Sequence, residues 1–285
     1  MRVHHLNTAT LCPRGAALVT GTGGLFARAR LVCHALLVEG PDGLVLVDTG
    51  LGTADVAAPA RLGRRWVRQV APRLELGETA AAQVEALGYA RGDVRHIVLT
   101  HLDLDHAGGI ADFPAATVHV HAREHAAALA AAGPRGGVRY VQAHWSHGPR
   151  WRLYDGARGE PWLGFAGAEP LAIGPGGRAD GDVVLVPLHG HTAGHCGVAV
   201  RAGDRWLLHA GDGYFFHGQL AARPHAPLVL RWFQRRGDTS RAERVANQAR
   251  LRELALTRAD VELFCSHDAV ELDRARGPSP ADRCL

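Results

Sequence analysis

Four side chains able to bind a metal fall within six positions of this chain: His101, Asp103, Asp105 and His106, in the run Thr100-His101-Leu102-Asp103-Leu104-Asp105-His106-Ala107-Gly108-Gly109. Imidazole and carboxylate together suit zinc, iron or manganese. The adjacent Asp105 and His106 cannot easily serve one ion in the same geometry as His101 and Asp103, so the segment looks built for two metals. Three later segments add donors: His191 in Gly190-His191-Thr192-Ala193-Gly194-His195, Asp212 in Ala210-Gly211-Asp212, and His267 in Ser266-His267-Asp268.

The elements that must position these residues are legible from hydrophobic patterning. His96-Ile97-Val98-Leu99 reads as a buried strand ahead of the first cluster, and Gly108-Gly109 lets the chain turn sharply after it. Strands are expected at 31–38 and 44–47 around the turn Gly40-Pro41-Asp42-Gly43, and then at 116–121, 183–188, 197–201, 206–209 and 261–265. Helical spacing marks 57–70, 78–87 with Gly88 as its C-cap, 122–132 ended by Gly133-Pro134, and 240–256. Residues 135–180, rich in Gly, Pro, Trp and His, read as a lid-like insertion. No repeat or linker divides the chain, so residues 1–285 are expected to form one domain. Every strong candidate ligand follows an apolar strand, which places all of them at one edge of a sheet sandwich.

With that order of motifs, from Asp48-Thr49-Gly50 to His267, the chain resembles the metallo-β-lactamase superfamily. The resemblance implies an α/β fold, the four-layer αββα sandwich, with two metal ions in a cleft at the strand ends. It assigns His101, Asp103 and His191 to the first metal, Asp105, His106 and His267 to the second, and Asp212 as the bridge between them. The short glycine-flanked histidine turn and the bridging Asp are more similar to the lactonase and glyoxalase branches than to antibiotic-degrading members. One position departs from the family's His-x-His-x-Asp-His pattern, because Asp103 stands where the second histidine normally does. Flavodiiron proteins carry a carboxylate there and bind iron. Three carboxylates and a bridging hydroxide bring two divalent ions to formal neutrality, which weakens their Lewis acidity and shifts the first site toward iron or manganese. Zinc is the first expectation for both ions.

The chemistry that follows is hydrolysis of a small ester, lactone or thioester. A metal-bridging hydroxide attacks the carbonyl, one metal polarises its oxygen, and Asp105 carries a proton to the leaving group. Tyr214, two residues after Asp212, is a candidate donor to the substrate carbonyl, although lactonases of the family place their tyrosine at the offset occupied here by Phe215. A di-iron redox enzyme is the alternative, motivated by Asp103. The absence of a flavodoxin-like partner and of a Gly-x-Gly-x-x-Gly turn weighs against it. Nucleic-acid-processing members carry an added recognition arm that is not evident here, and the short tail after His267 argues against a glutathione-binding glyoxalase.

Several tempting residues have plainer readings. His195 is expected to pack or hydrogen-bond within its turn, and His119, His121, His125, His4 and His5 to be structural or solvent-facing. Asp48 and Thr100 either orient a ligand histidine or simply form turns. His144, Trp145, His147 and Trp151 either line a substrate pocket or form a small core of their own.

Composition bounds the rest. The chain has 285 residues, 47% of them hydrophobic, no lysine, and a net charge of +4 carried by arginine. This is ample for a buried core and names no charged partner. Cys12, Cys33, Cys196, Cys265 and Cys284 are odd in number and form no Cys-x-x-Cys pair, which favours reduced thiols in a cytoplasmic protein. No segment reads as a signal peptide or membrane span. The expected partner is a small-molecule substrate, without nucleic acid or membrane, and the oligomeric state is left open.

Overall fold

Alternation of side chains along the strands decides the layers. In the strand Leu31–Gly40 (β2), Leu36 and Val38 face one core while Ala35 and Leu37 face another. Gly43–Val47 (β3) repeats the division, with Val45 and Val47 on the first side and Leu44 and Leu46 on the second. Both faces are therefore apolar and buried, the pattern of a sheet covered on each side. The same holds for Ala179–Pro187 (β9), whose Val183 and Leu185 meet β2 and β3 across the inter-sheet core. Its Val184 and Val186 turn outward to a third core that contains Leu251 and Leu254 of the helix Arg241–Thr257 (α8). The order of layers is helix, sheet, sheet, helix, as expected. Each fully buried Leu or Val in these cores contributes about 1.5–3 kcal/mol.

The structure is a computed structural model, and it describes residues 1–131, 139–279 and 284. The first sheet runs, in spatial order, Arg2–Leu11 (β1), β2, β3, Val94–Val98 (β4), Thr117–His121 (β5) and Arg150–Tyr154 (β6). The second runs Val261–Phe264 (β12), Arg205–His209 (β11), Cys196–Ala202 (β10), β9, Phe165–Ala172 (β8) and Glu160–Trp162 (β7). β3 and β4 are parallel, so both deliver their C-terminal ends to one edge. β11 and β12 are likewise parallel, and β9 joins them through two antiparallel steps across β10. The helices, in chain order, are Ala16–Val19 (α1), Thr53–Ala57 (α2), Arg64–Val70 (α3), Ala80–Ala86 (α4), Leu104–Ala107 (α5), Ala122–Ala130 (α6), Leu228–Gly237 (α7), α8 and Ala269–Arg276 (α9).

Three expectations are corrected. The helix expected over 57–70 is broken into α2, a 3-10 turn at Pro59–Leu62, and α3, because Pro59 has no N–H and Gly63 adopts φ 81°. The insertion at 135–180 is not irregular throughout: β6 closes the first sheet and β7 and β8 close the second, giving part of the Gly- and Trp-rich stretch a structural role. Residues 135–138 of that insertion, and Ala132 with Gly133-Pro134 at the end of the expected helix, lie outside the described residues. Finally, Cys12 and Cys284 are joined, with Cα atoms 5.7 Å apart at a sequence separation of 272. Only Cys33, Cys196 and Cys265 remain as free, buried thiols. Wide separation in sequence concealed a pairing that depends on where distant parts of the chain meet, and cysteine count no longer argues for a reducing compartment. No helix among the described residues is long and apolar enough to cross a membrane.

Candidate metal centre

The seven expected ligands converge at the common edge of the two sheets. His101, Asp103, Asp105 and His106 follow β4, His191 follows β9, Asp212 follows β11 and His267 follows β12. Asp212 lies between two groups. Its Oδ2 is 3.7 Å from His101 Nε2 and 3.2 Å from His191 Nε2, while its Oδ1 is 3.5 Å from His106 Nε2 and 3.2 Å from His267 Nε2. Asp103 Oδ2 closes the first group, 3.4 Å from His101 Nε2 and 3.2 Å from His191 Nε2. Asp105 Oδ2 approaches the second, 3.8 Å from His267 Nε2.

Hydrogen bonds behind the cluster select the atoms that face inward. Asp48, a non-glycine residue at φ 55°, accepts from the Thr100 N–H and hydroxyl, each at 2.8 Å, and from His106 Nδ1–H at 2.9 Å. The Thr100 hydroxyl, having donated to Asp48, accepts from His101 Nδ1–H at 2.9 Å. His267 Nδ1–H donates to the Val32 carbonyl at 2.8 Å. These bonds engage Nδ1 of His101, His106 and His267 and leave Nε2 of each facing the cleft. Asp48 and Thr100 thus orient His106 and His101, two of the candidate ligands, rather than simply forming turns. Burial alone would raise Asp48, yet the contacts with His106, His209 and His101 hold it below the usual range, so it stays a carboxylate.

The donor set fits metal ions on an observation of its own. His101 Nε2, His106 Nε2, Asp103 Oδ1 and Asp212 Oδ1 are buried polar atoms without a hydrogen-bond partner. Leaving such atoms unpaired costs about 1–3 kcal/mol each unless something else satisfies them, and convergent imidazole and carboxylate atoms are suited to a cation. The group electrostatics agree. Burial raises Asp212, but His267, His106 and His191 together bring it well below the normal carboxylate range. Burial lowers His101, and the carboxylates of Asp103 and Asp212 outweigh it to push the ring up to about 9.

The turns holding the ligands are tight. Gly211, at φ 54°, could not carry a Cβ, which would meet His195 Nε2 at 2.6 Å and Thr100 Cβ at 2.9 Å. His195 has the structural role expected of it, donating from Nδ1 to the Leu188 carbonyl and accepting the Asp212 N–H at Nε2. Glu124, at the start of α6, accepts from Leu102 N at 3.0 Å and Gly194 N at 3.0 Å, tying the first ligand loop to the His191 loop. Arg139 stands against Asp103. Sequence reading missed both Glu124 and Arg139, because each lies far in sequence from the ligand it braces. It also missed Cys33, whose sulfur lies within 4.8 Å of ligand atoms of Asp105 and His267.

Two sets of expected residues lie elsewhere. Tyr214 is fully buried and its hydroxyl donates to Glu271 on α9, 2.9 Å from Oε1, so it faces away from the ligands and is corrected as a carbonyl donor. Its neighbour Phe215 lies at the cleft instead, edge-on to His191 and His267. His144 pairs with Asp55, and Trp145 and Trp151 pack in the outer core beneath the first sheet, while His147 is exposed; none lines the cleft. His119 bonds His96 and Tyr154, and His121 caps α6. The cleft, about 470 Å³, has walls that include Val19, Leu31, Trp66, Val70, Phe215 and Leu230. Those walls come from α1, the start of β2, α3, the loop after β11 and α7.

Comparison with known proteins agrees with this architecture. The family model described as the metallo-beta-lactamase superfamily matches residues 28–256. A probable metallo-hydrolase of Mycobacterium bovis is 46% identical over 94% of this chain and 80% of its own length. An N-acyl homoserine lactonase of Azorhizobium caulinodans is 32% identical over 58% of each chain. Among solved structures, an N-acyl homoserine lactone hydrolase with N-hexanoyl-L-homoserine bound at its metal centre superposes with TM-score 0.69 at 17% identity, covering 96% of both chains. The dizinc lactonase AidC gives 0.60 at 17% identity over 93% of this chain and 86% of its own. The chain belongs to the metallo-beta-lactamase superfamily and is a metallo-hydrolase within it.

Proposed function

We propose that this enzyme is a dinuclear hydrolase of a lactone, ester or thioester whose acyl or aryl part is apolar. The single observation that carries the reading is the position of Asp212, one carboxylate oxygen turned to His101 and His191 and the other to His106 and His267. A carboxylate so placed could be shared by two cations. His101, Asp103 and His191 would hold one ion, and Asp105, His106 and His267 the other. Bound divalent ions supply Lewis acidity for the scissile carbonyl and for the attacking water.

The remaining work belongs to the chain. Asp48, Thr100 and the Val32 carbonyl hold the imidazoles so that no reorientation is needed during turnover. Asp105, with 15% of its side chain exposed and lying at the cleft, is placed to take a proton at its free carboxylate oxygen and pass it to the departing alkoxide or thiolate. Phe215, Trp66 and Leu230 offer apolar surface to the substrate and exclude water from the reacting bond. The names of the relatives, N-acyl homoserine lactonases among them, support a lactone as the first class to try.

The test is a hydrolysis screen over acyl lactones, aryl esters and thioesters, run in parallel on zinc, manganese and iron forms, with Asp212→Asn as control. Turnover of at least one class, lost in the variant, is expected. Asp103 favours a harder ion and so keeps a di-iron redox reading as the competitor. Stoichiometric iron with oxygen-dependent optical changes and no hydrolysis by any metal form would replace the proposal with that one.

A further inference from the structure

The geometry points to Cys33 as an additional ligand of the second ion, making the two metal positions chemically unlike: a hard site built with Asp103 and a soft site, selective for zinc, built with a thiolate. This rests on the dinuclear reading above. Three observations carry it.

Cys33 Sγ, a carboxylate oxygen of Asp105 and a ring nitrogen of His267 lie within 4.8 Å of one another, as do the donor atoms of His106, Asp212 and His267. The two groups share His267, so the sulfur borders the donors of the second ion. Among these donors His106 Nε2 and Asp212 Oδ1 are buried and make no hydrogen bond, and their residues are only 1% and 3% exposed. They are aimed at something the hydrogen-bond network does not provide.

The backbone is arranged to aim the sulfur. β1 and β2 pair regularly up to Asn7 opposite His34, then shift register and resume with Thr10 opposite Val32. Thr8 and Ala9 therefore face the single residue Cys33, a bulge of the kind that redirects a side chain beside a site. The bulge is pinned, because Cys33 N donates to Asn7 Oδ1 at 3.3 Å and Cys33 O accepts from the Thr8 hydroxyl at 2.8 Å. The preceding carbonyl, Val32, holds His267 Nδ1. Consecutive residues of β2 thus orient a ligand ring and present a thiol to the same place.

The ligand chemistry separates the sites. Thiolate selects zinc, whereas a site with two imidazoles and two carboxylates and no sulfur accommodates iron or manganese. Binding breaks the S–H bond, the proton leaves to water, and the sulfur lone pair is donated to the ion, with no change of oxidation state.

Cobalt(II) titration of the full-length, metal-stripped protein tests this, because a cobalt–thiolate bond gives a near-ultraviolet charge-transfer band independent of activity. Wild type, Cys33→Ser, Cys33→Ala and the buried-cysteine control Cys265→Ser are compared, with folding checked by circular dichroism. The band is expected in wild type and Cys265→Ser and lost in both Cys33 variants, with the affinity of one cobalt equivalent lowered at least about tenfold. A wild-type protein that binds cobalt without the band, or a band that survives in Cys33→Ser, overturns the assignment. The number of equivalents answers the separate question: two support the dinuclear reading, and one carrying the band removes that reading while keeping the thiolate. A folded protein that binds no cobalt overturns both.

Discussion

Arg139 Nε lies 3.5 Å from Asp103 Oδ1, and the same guanidinium donates to the backbone carbonyls of His191 and Gly237. The residue that departs from the family's histidine pattern therefore brings its own counter-charge. Burial raises the Asp103 carboxyl, but Arg139 and His101 hold it well below the usual range. The formal neutrality expected from an extra carboxylate is offset by this cation, and Arg139 also fastens the His191 loop to the end of α7. Arg139→Gln should lower metal affinity or kcat/KM by about 10–100-fold. Metal titration and steady-state kinetics check this; values within twofold of wild type would leave Arg139 no part in positioning Asp103.

Asp48 connects two ligand rings through one carboxylate. Asp48→Asn preserves shape but replaces an acceptor oxygen by an amide N–H, which opposes the His106 Nδ1–H or the Thr100 hydroxyl. Metal retention against a chelator should fall by about 10–100-fold with the fold intact. The prediction fails if the variant releases metal at the wild-type rate.

Tyr214 and Glu271 form a buried pair away from the cleft, so Tyr214→Phe should leave kcat unchanged within about twofold while lowering stability by about 1 kcal/mol. Burial, with Asp268 nearby, raises the Glu271 carboxyl from 4.5 to about 8. Because the folded value is the higher one, its stabilising contribution is complete below about 4.5 and is lost as pH rises through about 8. Glu271→Gln cannot ionise. The stability difference between wild type and this variant should therefore move in the variant's favour across that interval in chemical denaturation. A difference independent of pH would contradict the assignment.

The Cys12–Cys284 bond ties the end of β1 to the distal chain across 272 positions. Reduction, or Cys284→Ser, should cost on the order of 2–5 kcal/mol of stability. Metal content should be unaffected. Thiol titration of the denatured, unreduced protein should find three free thiols, Cys33, Cys196 and Cys265; five would refute the pairing.

The candidate ligands were legible because each ends an apolar strand, and strand periodicity together with residue type survives in one dimension: His101 to His106 after Ile97-Val98-Leu99, and His267 after Val261 to Phe264. The layer order came from the resemblance of the motifs to a family, and the burial of β2 and β3 on both faces agrees with it. What sequence alone could not decide was pairing between distant segments. Tyr214 and Phe215 are adjacent and both aromatic, and only the path of the chain after Gly211 turns one toward Glu271 and the other toward His191. Arg139, Glu124 and Cys33 carry no local pattern; their roles come from contacts closed across dozens of residues. Residue type and spacing determined which chemistry this chain can perform, whereas tertiary packing decided which neighbours aim, brace and charge-balance it, because those contacts depend on three-dimensional proximity that no local period encodes.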